Sequence, residues 1–378
     1  MIRKFAFRSV MFRLFFLSIC IASLPVQAAK ITPAPPQVAA RAYIVMDADT
    51  GKVIMASREG ERFPPASLTK MMTSYILEGE LTKGNVSKND LVPISVKAWR
   101  TPGSRMFIKE GTQVLLSDLL KGIIIQSGND ASVAVAEYIA GSESAFADMM
   151  NQHAALLGMQ NSHFMNATGL PAEDHYSSAY DLALLAQAII QKYPEQYGIY
   201  SEKYFTYNKI RQPNRNKLLW RDDSVDGLKT GHTDAAGFCL VASAKRDGMR
   251  LITVVMGTSS EEARAQESQK LLAYAFRYFR THKLYDAGQV LETAKVWAGQ
   301  QKQLKVGLQS AMAITIPRGE GEQLQAVLDL DKVIKAPIEK GQSFGSLKVM
   351  LEDKVVAEAP IIALENQHVN FINGWATY

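Results

Sequence analysis

The pattern of hydrophobic and polar positions changes its period along the chain. Residues 41–56 alternate around an Asp49-Thr50-Gly51 turn, which predicts the two strands of a hairpin. Pro64-Pro65 interrupts the chain, and apolar side chains then recur at helical spacing, at Leu68, Met71, Met72, Tyr75 and Ile76. This spacing predicts a helix that opens near Ser67.

Two more helices are predicted in the middle of the chain. One starts at Ser117-Asp118 and the next covers residues 131–140, so Ser127-Gly128-Asn129 lies in the tight connection between them. After residue 222 the period shortens to that of strands. Three strands are predicted, at residues 225–230, 237–244 and 250–256, and a long amphipathic helix follows from about Glu261 to Tyr278. Helices between an N-terminal hairpin and a later meander favour an α+β fold, with one antiparallel sheet covered by helices.

Beyond residue 283 the chain consists of short alternating segments. They read VLETAKVW, QLKVGL, AMAITIP, LQAVLDL, FGSLKVML and KVVAEAPIIAL. This pattern predicts a small all-β domain over residues 283–365, after a larger domain over residues 29–282. This small domain contains no set of Ser, Lys and His residues of catalytic appearance. Its expected role is therefore to act as a spacer or to dock the protein.

The first 28 residues have the layout of a secretory signal peptide. A basic leader precedes an apolar run of 11 residues, Leu14–Leu24, and Val26-Gln27-Ala28 offers a small-residue cleavage site. The run is too short to span a bilayer. An uncleaved anchor is the alternative, while an acylated Cys20 is disfavoured because the bulky Ile19 precedes it. We therefore expect an exported, periplasmic protein.

Charge and cysteine content exclude several classes of function. The formal net charge of +5 includes the four cations of the leader, so residues 29–378 carry only +1 and no nucleic-acid partner is predicted. Cys239 is then the only cysteine, and between Phe238 and Leu240 it is better interpreted as a buried strand residue than as a nucleophile. The six histidines show no metal-binding spacing, so neither a metal nor another cofactor is predicted.

Ser67 and Lys70 lie on one face of the predicted helix, because residues three apart are one turn apart. A serine hydroxyl needs a base to take its proton before it attacks a carbonyl. Lys70 serves as that base only if burial or another cation lowers its pKa from about 10.4. Alone, the spacing is weak evidence, since an N-cap serine followed by an ordinary helical lysine gives the same pattern.

Two further motifs lie in the predicted connection and in a predicted strand. Ser127-Gly128-Asn129 begins 60 residues after Ser67, and Lys229-Thr230-Gly231 begins 102 residues after Ser127. In the strand motif, lysine supplies positive charge, threonine suits a substrate carboxylate, and glycine permits close backbone approach. Each triplet is common by itself. Their order and their settings together predict a serine acyl-transfer enzyme.

With these motifs the chain resembles the D-alanyl-D-alanine carboxypeptidases, which are low-molecular-mass penicillin-binding proteins. The three motifs are shared with β-lactamases, and Gly128 stands where an Asp is usual there. The resemblance covers nearly the whole mature chain, including the β domain. It is carried by the segments PASLTKMMT, IIIQSGNDASVAVAE, TGLPAEDHYSSAYDLA, NRNKLLW and VDGLKTGHTDAAGFCLVASA.

The resemblance implies a reaction through an acyl-enzyme. Ser67 would attack the carbonyl of the penultimate D-Ala while Lys70 accepts its proton. Ser127 and Lys229 would relay a proton to the leaving amine, and Asn129 would hold the substrate amide. Water would then hydrolyse the acyl-enzyme, and penicillins would acylate the same serine. The implied partners are a peptidoglycan stem peptide ending in D-Ala-D-Ala and β-lactams as inhibitors.

The resemblance also implies how the substrate is held. Backbone N–H groups of Ser67 and His232 would form the oxyanion hole. Thr230, beside Gly231 and with help from Arg215 and Arg264, would bind the terminal carboxylate. For each arginine, a surface cation or an ordinary ion pair is the alternative.

Other functions stay open as alternatives. A β-lactamase shares the nucleophile but needs a glutamate-held water, and residues 168–176 contain Glu173 and Asp174 without a Glu-x-x-x-Asn pattern. An endopeptidase that cuts peptide cross-links is a related side activity, and a non-catalytic cell-wall binder is the alternative outside the enzymes. Asp49-Thr50-Gly51 matches the aspartic-protease triplet, but a single copy fits a hairpin turn better.

The tail over residues 366–378 contains no Lys or Arg. Phe371, Ile372, Trp375 and Tyr378 share one face if this segment is helical. It is short for stable membrane attachment. A weak peripheral contact with the inner membrane and a frayed end are therefore both open.

Overall fold

The computed structural model describes residues 32–370. The predicted signal peptide over residues 1–28 and the apolar face predicted beyond residue 370 lie outside the described residues. The start of the predicted tail lies inside them, where Gln367 forms an antiparallel bridge with Ile338. This first part of the tail is therefore bound to the C-terminal β domain.

The first domain is built on an antiparallel sheet. Its strands are β1 Ala42–Asp47, β2 Val53–Ser57, β3 Leu91–Pro93, β4 Gln113–Leu115, β5 Tyr204–Tyr207, β6 Ile210–Pro213, β7 Val225–Thr233, β8 Gly237–Arg246 and β9 Met249–Thr258. Five of them form the main sheet in the order β2-β1-β9-β8-β7, so β7 is an edge strand. The pairs β3–β4 and β5–β6 are separate two-stranded sheets.

Helices lie on both faces of this main sheet. They are α1 Lys70–Lys83, α2 Val96–Arg100, α3 Leu116–Lys121, α4 Asn129–Ala140, α5 Glu143–Leu156, α6 Ala179–Lys192, α7 Pro194–Tyr197 and α8 Glu261–Tyr278. Helix α8 has the predicted bounds, and its N-cap Ser260 accepts a hydrogen bond from the N–H of Ala263. The predicted α+β fold is confirmed.

Alternation along β1 explains why both faces are covered. Ile44 and Met46 pack into one apolar cluster with residues of α1, α4 and α6, whereas Val45 packs into a second cluster with Leu271 of α8. Successive side chains of a strand point to opposite faces, so a strand that is apolar at every position is buried on both sides. Each fully buried aliphatic side chain contributes roughly 1.5–3 kcal/mol relative to its exposed state.

The middle of the domain differs from the predicted elements in detail. Helix α3 ends at Lys121 and continues as a π-helical turn over Gly122–Gln126. Helix α4 begins at Asn129, so this residue is the first of the helix and not part of the connection before it. The pattern did not locate α5, α6 or the β5–β6 hairpin. Helix α6 begins at an ordinary N-cap, Ser178, whose side chain accepts from the N–H of Asp181.

The C-terminal part is the predicted small all-β domain. Its strands are β10 Phe279–Tyr285, β11 Val290–Trp297, β12 Gln303–Leu308, β13 Met312–Pro317, β14 Leu324–Leu330, β15 Ile334–Lys335, β16 Ser343–Leu351 and β17 Lys354–Ala363. Six of them form a sheet in the order β14-β16-β17-β12-β11-β15, and β10 pairs with β13. The domain has its own core, which includes Leu304, Val306 and Ile361.

The boundary between residues 282 and 283 stays a prediction, and it falls inside β10. Within residues 32–370, no helix is long and apolar enough to cross a bilayer. The same residues contain no group of three or more His, Cys, Asp or Glu side chains arranged to hold a metal ion.

Candidate active site

Ser67 lies in a 3-10 turn over Ala66–Thr69 that leads directly into α1. Its Oγ is 3.0 Å from the Nζ of Lys70, as the spacing of three residues predicts. Ala66 has a left-handed backbone with φ of 48°. Gly169 packs against this turn so closely that a Cβ there would lie 1.8 Å from the carbonyl oxygen of Ala66. The conformation of the turn therefore depends on a glycine distant in sequence.

Lys70 is completely buried. Its Nζ donates to the Oγ of Ser67, to the Oδ1 of Asn129 at 2.6 Å and to the carbonyl oxygen of Thr168 at 2.6 Å. Burial, and to a lesser extent the positive charge of Arg215, lower the pKa of Lys70 to about 7 against the opposing effect of Asp130. A substantial fraction of Lys70 is therefore neutral near neutral pH, as a proton acceptor requires.

A second lysine–serine pair lies beside the first. Ser127 follows the π-helical turn with a left-handed φ of 66°, and its Oγ accepts a hydrogen bond from the Nζ of Lys229 at 2.8 Å. Burial lowers the pKa of Lys229 well below its usual value, and the charges of Lys70, Arg215 and Arg264 add to this effect. The structure thus places two lysines of lowered basicity against two serine hydroxyls.

Asn129 joins the two halves of the site. Besides accepting from Lys70, it donates through Nδ2 to the carbonyl oxygen of Pro102 at 2.6 Å, and its backbone N–H donates to the carbonyl oxygen of Ser104 at 2.7 Å. Its side-chain amide is therefore already bonded on both sides, so contact with a substrate amide requires it to exchange one of these partners.

Asp130 holds the loop around Pro102 and Ser104 in place. Its buried carboxylate accepts from the backbone N–H groups of Met106 at 3.0 Å and Phe107 at 2.9 Å. These contacts attach the loop to the start of α4. The motif analysis did not identify Asp130 or Ser104, although Asp130 directly follows the Ser127-Gly128-Asn129 triplet.

The hydroxyls of Ser67 and Ser127 open into a cavity of about 150 Å³. The other predicted site residues that line it are Arg215, Thr230, Gly231, His232 and Arg264. Ser104, Phe238 and Glu261 line it as well, and no sequence motif marked them. The three remaining predicted residues lie behind the cavity wall, where they contact the two serines or each other: Lys70, Asn129 and Lys229.

Strand β7 forms one wall of this cavity. A Cβ at Gly231 would lie 3.0 Å from the carbonyl oxygen of Pro65, so glycine allows the strand to pack against the Ser67 turn. The ring of His232 stacks on Phe238 with a centroid distance of 3.9 Å. Because β7 is an edge strand, its free backbone groups are available to an extended peptide.

Two arginines face the cavity near Thr230. Arg215 donates through Nε to the carbonyl oxygen of Gln126 at 3.0 Å, and Arg264 donates through Nη1 to the carbonyl oxygen of Gly231 at 3.2 Å. Arg264 is also 3.8 Å from Glu261. Among the described residues, Arg215 has no ion pair. The structure therefore brings together two guanidinium groups with unused donors.

The loop after α5 supplies a carbonyl group to the site. The Oδ1 of Asn166 accepts from the N–H groups of Thr168 at 3.1 Å and Gly169 at 2.8 Å, which directs the Thr168 carbonyl oxygen to Lys70. Glu173 and Asp174 are exposed and do not line the catalytic cavity. This part of the described chain contributes no carboxylate to the site.

Cys239, the predicted buried strand residue, lies in the sheet core. Its side chain is fully buried, and burial raises the pKa of its thiol to about 11. A thiol of this pKa is almost entirely protonated at neutral pH, so it is not a nucleophile.

Comparison with known proteins places both domains in described families. Residues 29–260 match the model of the D-alanyl-D-alanine carboxypeptidases of peptidase family S11. Residues 279–368 match the model of the C-terminal domain of penicillin-binding protein 5.

Individual relatives match over most of their length. The D-alanyl-D-alanine carboxypeptidase DacC of Escherichia coli K12 is 44% identical over 347 residues, which are 90% of this chain and 87% of the relative. The crystal structure of penicillin-binding protein 5 from Haemophilus influenzae is 42% identical with a TM-score of 0.84, and the match covers 89% of this chain and 99% of that one.

A third match is a complex with a drug. The ampicillin-bound penicillin-binding protein D2 of Listeria monocytogenes is 28% identical with a TM-score of 0.59. The match covers 64% of this chain and all of that one.

Proposed function

This chain belongs to the D-alanyl-D-alanine carboxypeptidase family and is a penicillin-binding serine peptidase, and we propose that Ser67 is its nucleophile. The observation that carries this proposal is the 3.0 Å contact between Ser67 Oγ and the buried Nζ of Lys70. A serine that faces a cavity and touches a base of lowered pKa is the arrangement that nucleophilic catalysis requires.

In the proposed acylation step, Ser67 Oγ bonds to the carbonyl carbon of the penultimate D-Ala. Neutral Lys70 accepts the serine proton as this bond forms. We assign the developing negative charge on the carbonyl oxygen to the backbone N–H groups of Ser67 and His232, two residues that line the cavity. Such preorganised donors contribute several kcal/mol in acyl transfer.

The leaving D-Ala amine takes a proton through the second lysine–serine pair. Ser127 contacts Lys229 at 2.8 Å and opens into the same cavity as Ser67. A hydroxyl so placed accepts a proton on one side and donates one on the other. Asn129 holds Lys70 and, after exchange of a hydrogen bond, the substrate amide. Water then hydrolyses the ester and regenerates Ser67.

The terminal carboxylate of the substrate is assigned to Thr230, Arg215 and Arg264, with Gly231 leaving room for its approach. All four line the cavity, and each guanidinium has donors beyond the backbone contact described above. Charge-assisted bonds from arginine to a carboxylate are among the stronger protein hydrogen bonds. This assignment accounts for specificity toward a free C-terminus.

Penicillins acylate the same serine and are released slowly. Rapid release requires a carboxylate that activates water beside the acyl-enzyme, and the described chain places the Thr168 carbonyl oxygen, not a carboxylate, against Lys70. The exposed position of Glu173 favours a penicillin-inhibited peptidase over a β-lactamase.

The proposed function is tested by D-alanine release from a peptide ending in D-Ala-D-Ala. The native protein should release D-alanine and form a stable penicillin adduct, whereas Ser67→Ala should do neither while keeping its melting temperature. Rapid turnover of penicillin without D-alanine release would favour a β-lactamase. Cell-wall binding that persists in Ser67→Ala, without any catalysis by the native protein, would favour a binding protein.

The cellular location of the protein is argued from two terminal segments that lie outside the described residues. The leader over residues 1–28 supports export, so we place the mature protein in the periplasm, where its peptidoglycan substrate lies. Peripheral contact with the inner membrane through the tail is a separate proposal. It predicts that a protein truncated after residue 370 loses vesicle binding, and equal binding of both forms would contradict it.

A further inference from the structure

His175 lies behind the proposed nucleophile, in the connection between α5 and α6. Its side chain is only 7% exposed and does not line the catalytic cavity. The ring nitrogen Nε2 is 2.9 Å from the Oγ1 of Thr69, a fully buried residue of the 3-10 turn that also contains Ser67. His175 therefore contacts the catalytic turn from the protein interior and not from the cavity.

The other ring nitrogen of His175 contacts the loop that binds Lys70. The backbone N–H of Met165 donates to the Nδ1 of His175 at 3.3 Å. Three residues later, the carbonyl oxygen of Thr168 accepts from the Nζ of Lys70 at 2.6 Å. One imidazole ring is thus hydrogen-bonded both to the turn that precedes Lys70 and to the loop that supplies a carbonyl group to it.

The backbone next to His175 is held independently of these two ring contacts. Tyr176 forms an antiparallel bridge with His163, and Ser177 forms another with Phe63. Both bridges are made by backbone groups, so they remain when the side chain at position 175 is replaced. The segment is therefore a fixed support, and a substitution of His175 removes the ring contacts without removing the bridges.

Both ring contacts require a neutral imidazole with its proton on Nε2. The Met165 N–H is a donor, so Nδ1 must be the acceptor, and Nε2–H then donates to the hydroxyl of Thr69. Burial, and to a lesser extent the charges of His163 and Lys70, lower the pKa of His175 to about 4. The ring is therefore almost entirely neutral at neutral pH, in the state that both contacts need.

We propose that His175 is a positioning residue for acyl transfer, whose neutral imidazole joins the Ser67 turn to the loop that binds Lys70 and keeps nucleophile and base aligned. It touches neither the substrate nor the reacting atoms. The inference rests on the proposed roles of Ser67 and Lys70 and adds the residue that holds their two supports together. Alignment matters because a displacement of about 1 Å costs up to about 10²-fold in rate.

The test measures acylation of the full chain by a fluorescent penicillin at neutral pH, well below the melting temperature of each variant. It separates the dissociation constant of the non-covalent complex from the acylation rate constant. His175→Ala removes both ring contacts and should lower the acylation rate constant at least about tenfold, with a dissociation constant within about threefold of the native value. His175→Gln offers an amide N–H and an acceptor oxygen, so most of the rate should return.

A second variant breaks the same contact from its other end. Thr69→Val keeps the shape of the side chain but lacks the hydroxyl that meets Nε2, so it should also slow acylation. Because both substitutions remove one shared hydrogen bond, the double variant should lose little more than His175→Ala alone. Losses that simply add would contradict a coupling between these two residues.

His153→Ala is the matched control. His153 is another histidine whose pKa is lowered by burial, but it lies on α5 and its ring packs against Tyr75 at a centroid distance of 5.7 Å. The control should change neither constant, although it too removes an imidazole from the interior of the same domain.

Three results would overturn the inference. They are an acylation rate constant of His175→Ala equal to that of the native protein, a loss in His175→Gln as large as in His175→Ala, and a nitrogen NMR spectrum that places the His175 proton on Nδ1. If the native protein neither forms a penicillin adduct nor releases D-alanine, the proposed function itself fails, and this inference fails with it.

Discussion

Burial controls the basicity of the two lysines in the site. Lys70 has no exposed surface and Lys229 is only 3% exposed, so each has lost the water that would stabilise its charge. Arg215, which we propose to bind the substrate carboxylate, acts in the same direction, since its charge contributes to the lowered pKa of both lysines. In the proposed site, one cluster of cations would both bind an anionic substrate and lower the pKa of the two lysines.

The first prediction concerns the pH dependence of D-alanine release. Since Lys70 is the proposed base and has a pKa of about 7, kcat/KM should fall about tenfold per pH unit on the acidic side of this value. The measurement is a pH profile of kcat/KM between pH 5 and 9. Lys70→Arg, which keeps the charge but not the basicity, should lose activity at least about 10²-fold at every pH. A flat native profile would contradict Lys70 as the base.

A buried carboxyl group lies farther along the same helix. Burial raises the pKa of Glu78 well above its usual value. Its Oε1 is 3.3 Å from the hydroxyl of Tyr200, and its Oε2 has no hydrogen-bond partner among the described residues. The folded state therefore holds a proton on Glu78 at pH values where the unfolded chain has released it.

The second prediction is that Glu78→Gln stabilises the protein at neutral and alkaline pH. The pKa of Glu78 is higher in the folded state than in the unfolded chain. The contribution of this carboxyl group to the free energy of unfolding is therefore largest below pH 4.5, and it is lost as the pH rises through the folded-state pKa. Above pH 4.5, folding of the native protein requires Glu78 to take up a proton, which destabilises the folded state. The glutamine side chain is neutral at every pH, so the variant lacks this destabilisation. The gain in melting temperature should be larger at pH 8 than at pH 5.

Glu80→Gln is the control for this change. Hydrogen bonds from Asn85 and Lys83 lower the pKa of Glu80, so its replacement should give no gain at pH 8. Equal melting temperatures of Glu78→Gln and the native protein at pH 5 and pH 8 would show that Glu78 does not titrate in this range.

The packing of a loop against the 3-10 turn before α1 determines where Ser67, the proposed nucleophile, lies. Gly169 has a left-handed φ of 82° and packs closely against the carbonyl group of Ala66. The carbonyl oxygen of its neighbour Thr168 accepts a hydrogen bond from Lys70. The loop that contains Thr168 and Gly169 thus both supports the Ser67 turn and binds Lys70, the proposed base. A residue with a side chain at position 169 must push the two segments apart.

The third prediction uses two glycines with similar backbones. Gly169→Ala should slow acylation by a fluorescent penicillin at least about tenfold, because displacement of a reacting group by about 1 Å is costly. Gly158→Ala is the control, since its φ is 75° but nothing lies within 4 Å of its Cβ position. The control should lose about 1 kcal/mol of stability without a change in acylation rate. Equal acylation rates in both variants would contradict the role of the Gly169 contact.

Across the whole molecule, the N-terminal hairpin connects the two domains. The Oδ1 of Asp47 accepts from the backbone N–H of Thr50 at 2.8 Å, while its Oδ2 accepts from the hydroxyl of Thr281 on β10. Thr50 also contacts Thr315 of β13 through their hydroxyls at 2.8 Å. The Asp49-Thr50-Gly51 segment is therefore a hairpin turn that contacts the β domain, in agreement with the interpretation preferred over an aspartic-protease triplet.

The fourth prediction tests this junction. Thr281→Val removes the hydroxyl that donates a hydrogen bond to the buried carboxylate of Asp47. This loss should lower the free energy of unfolding by about 1–3 kcal/mol. Thr281→Ser keeps the hydroxyl and should recover most of this loss. Urea denaturation of the three proteins measures both effects. A valine variant as stable as the native protein would contradict a stabilising role of this hydrogen bond.

The sequence by itself determined the features that depend on local pattern. Periodicity predicted α8 and β11 with their observed bounds, because the alternation of apolar residues follows directly from helix and strand geometry. Spacing also predicted that Ser67 and Lys70 share a helix face. The order of the three motifs led to the family before any contact was known.

Only the tertiary structure decided how the site works. Thr168 binds Lys70 through a backbone carbonyl 98 residues away, and Ser104 enters the cavity on a loop held by Asp130. No side-chain pattern marks a carbonyl group or the wall of a cavity. The pKa of Lys70 likewise depends on complete burial and on Arg215. Desolvation and Coulomb interactions act through space, so they are defined only after residues distant in the chain have packed together.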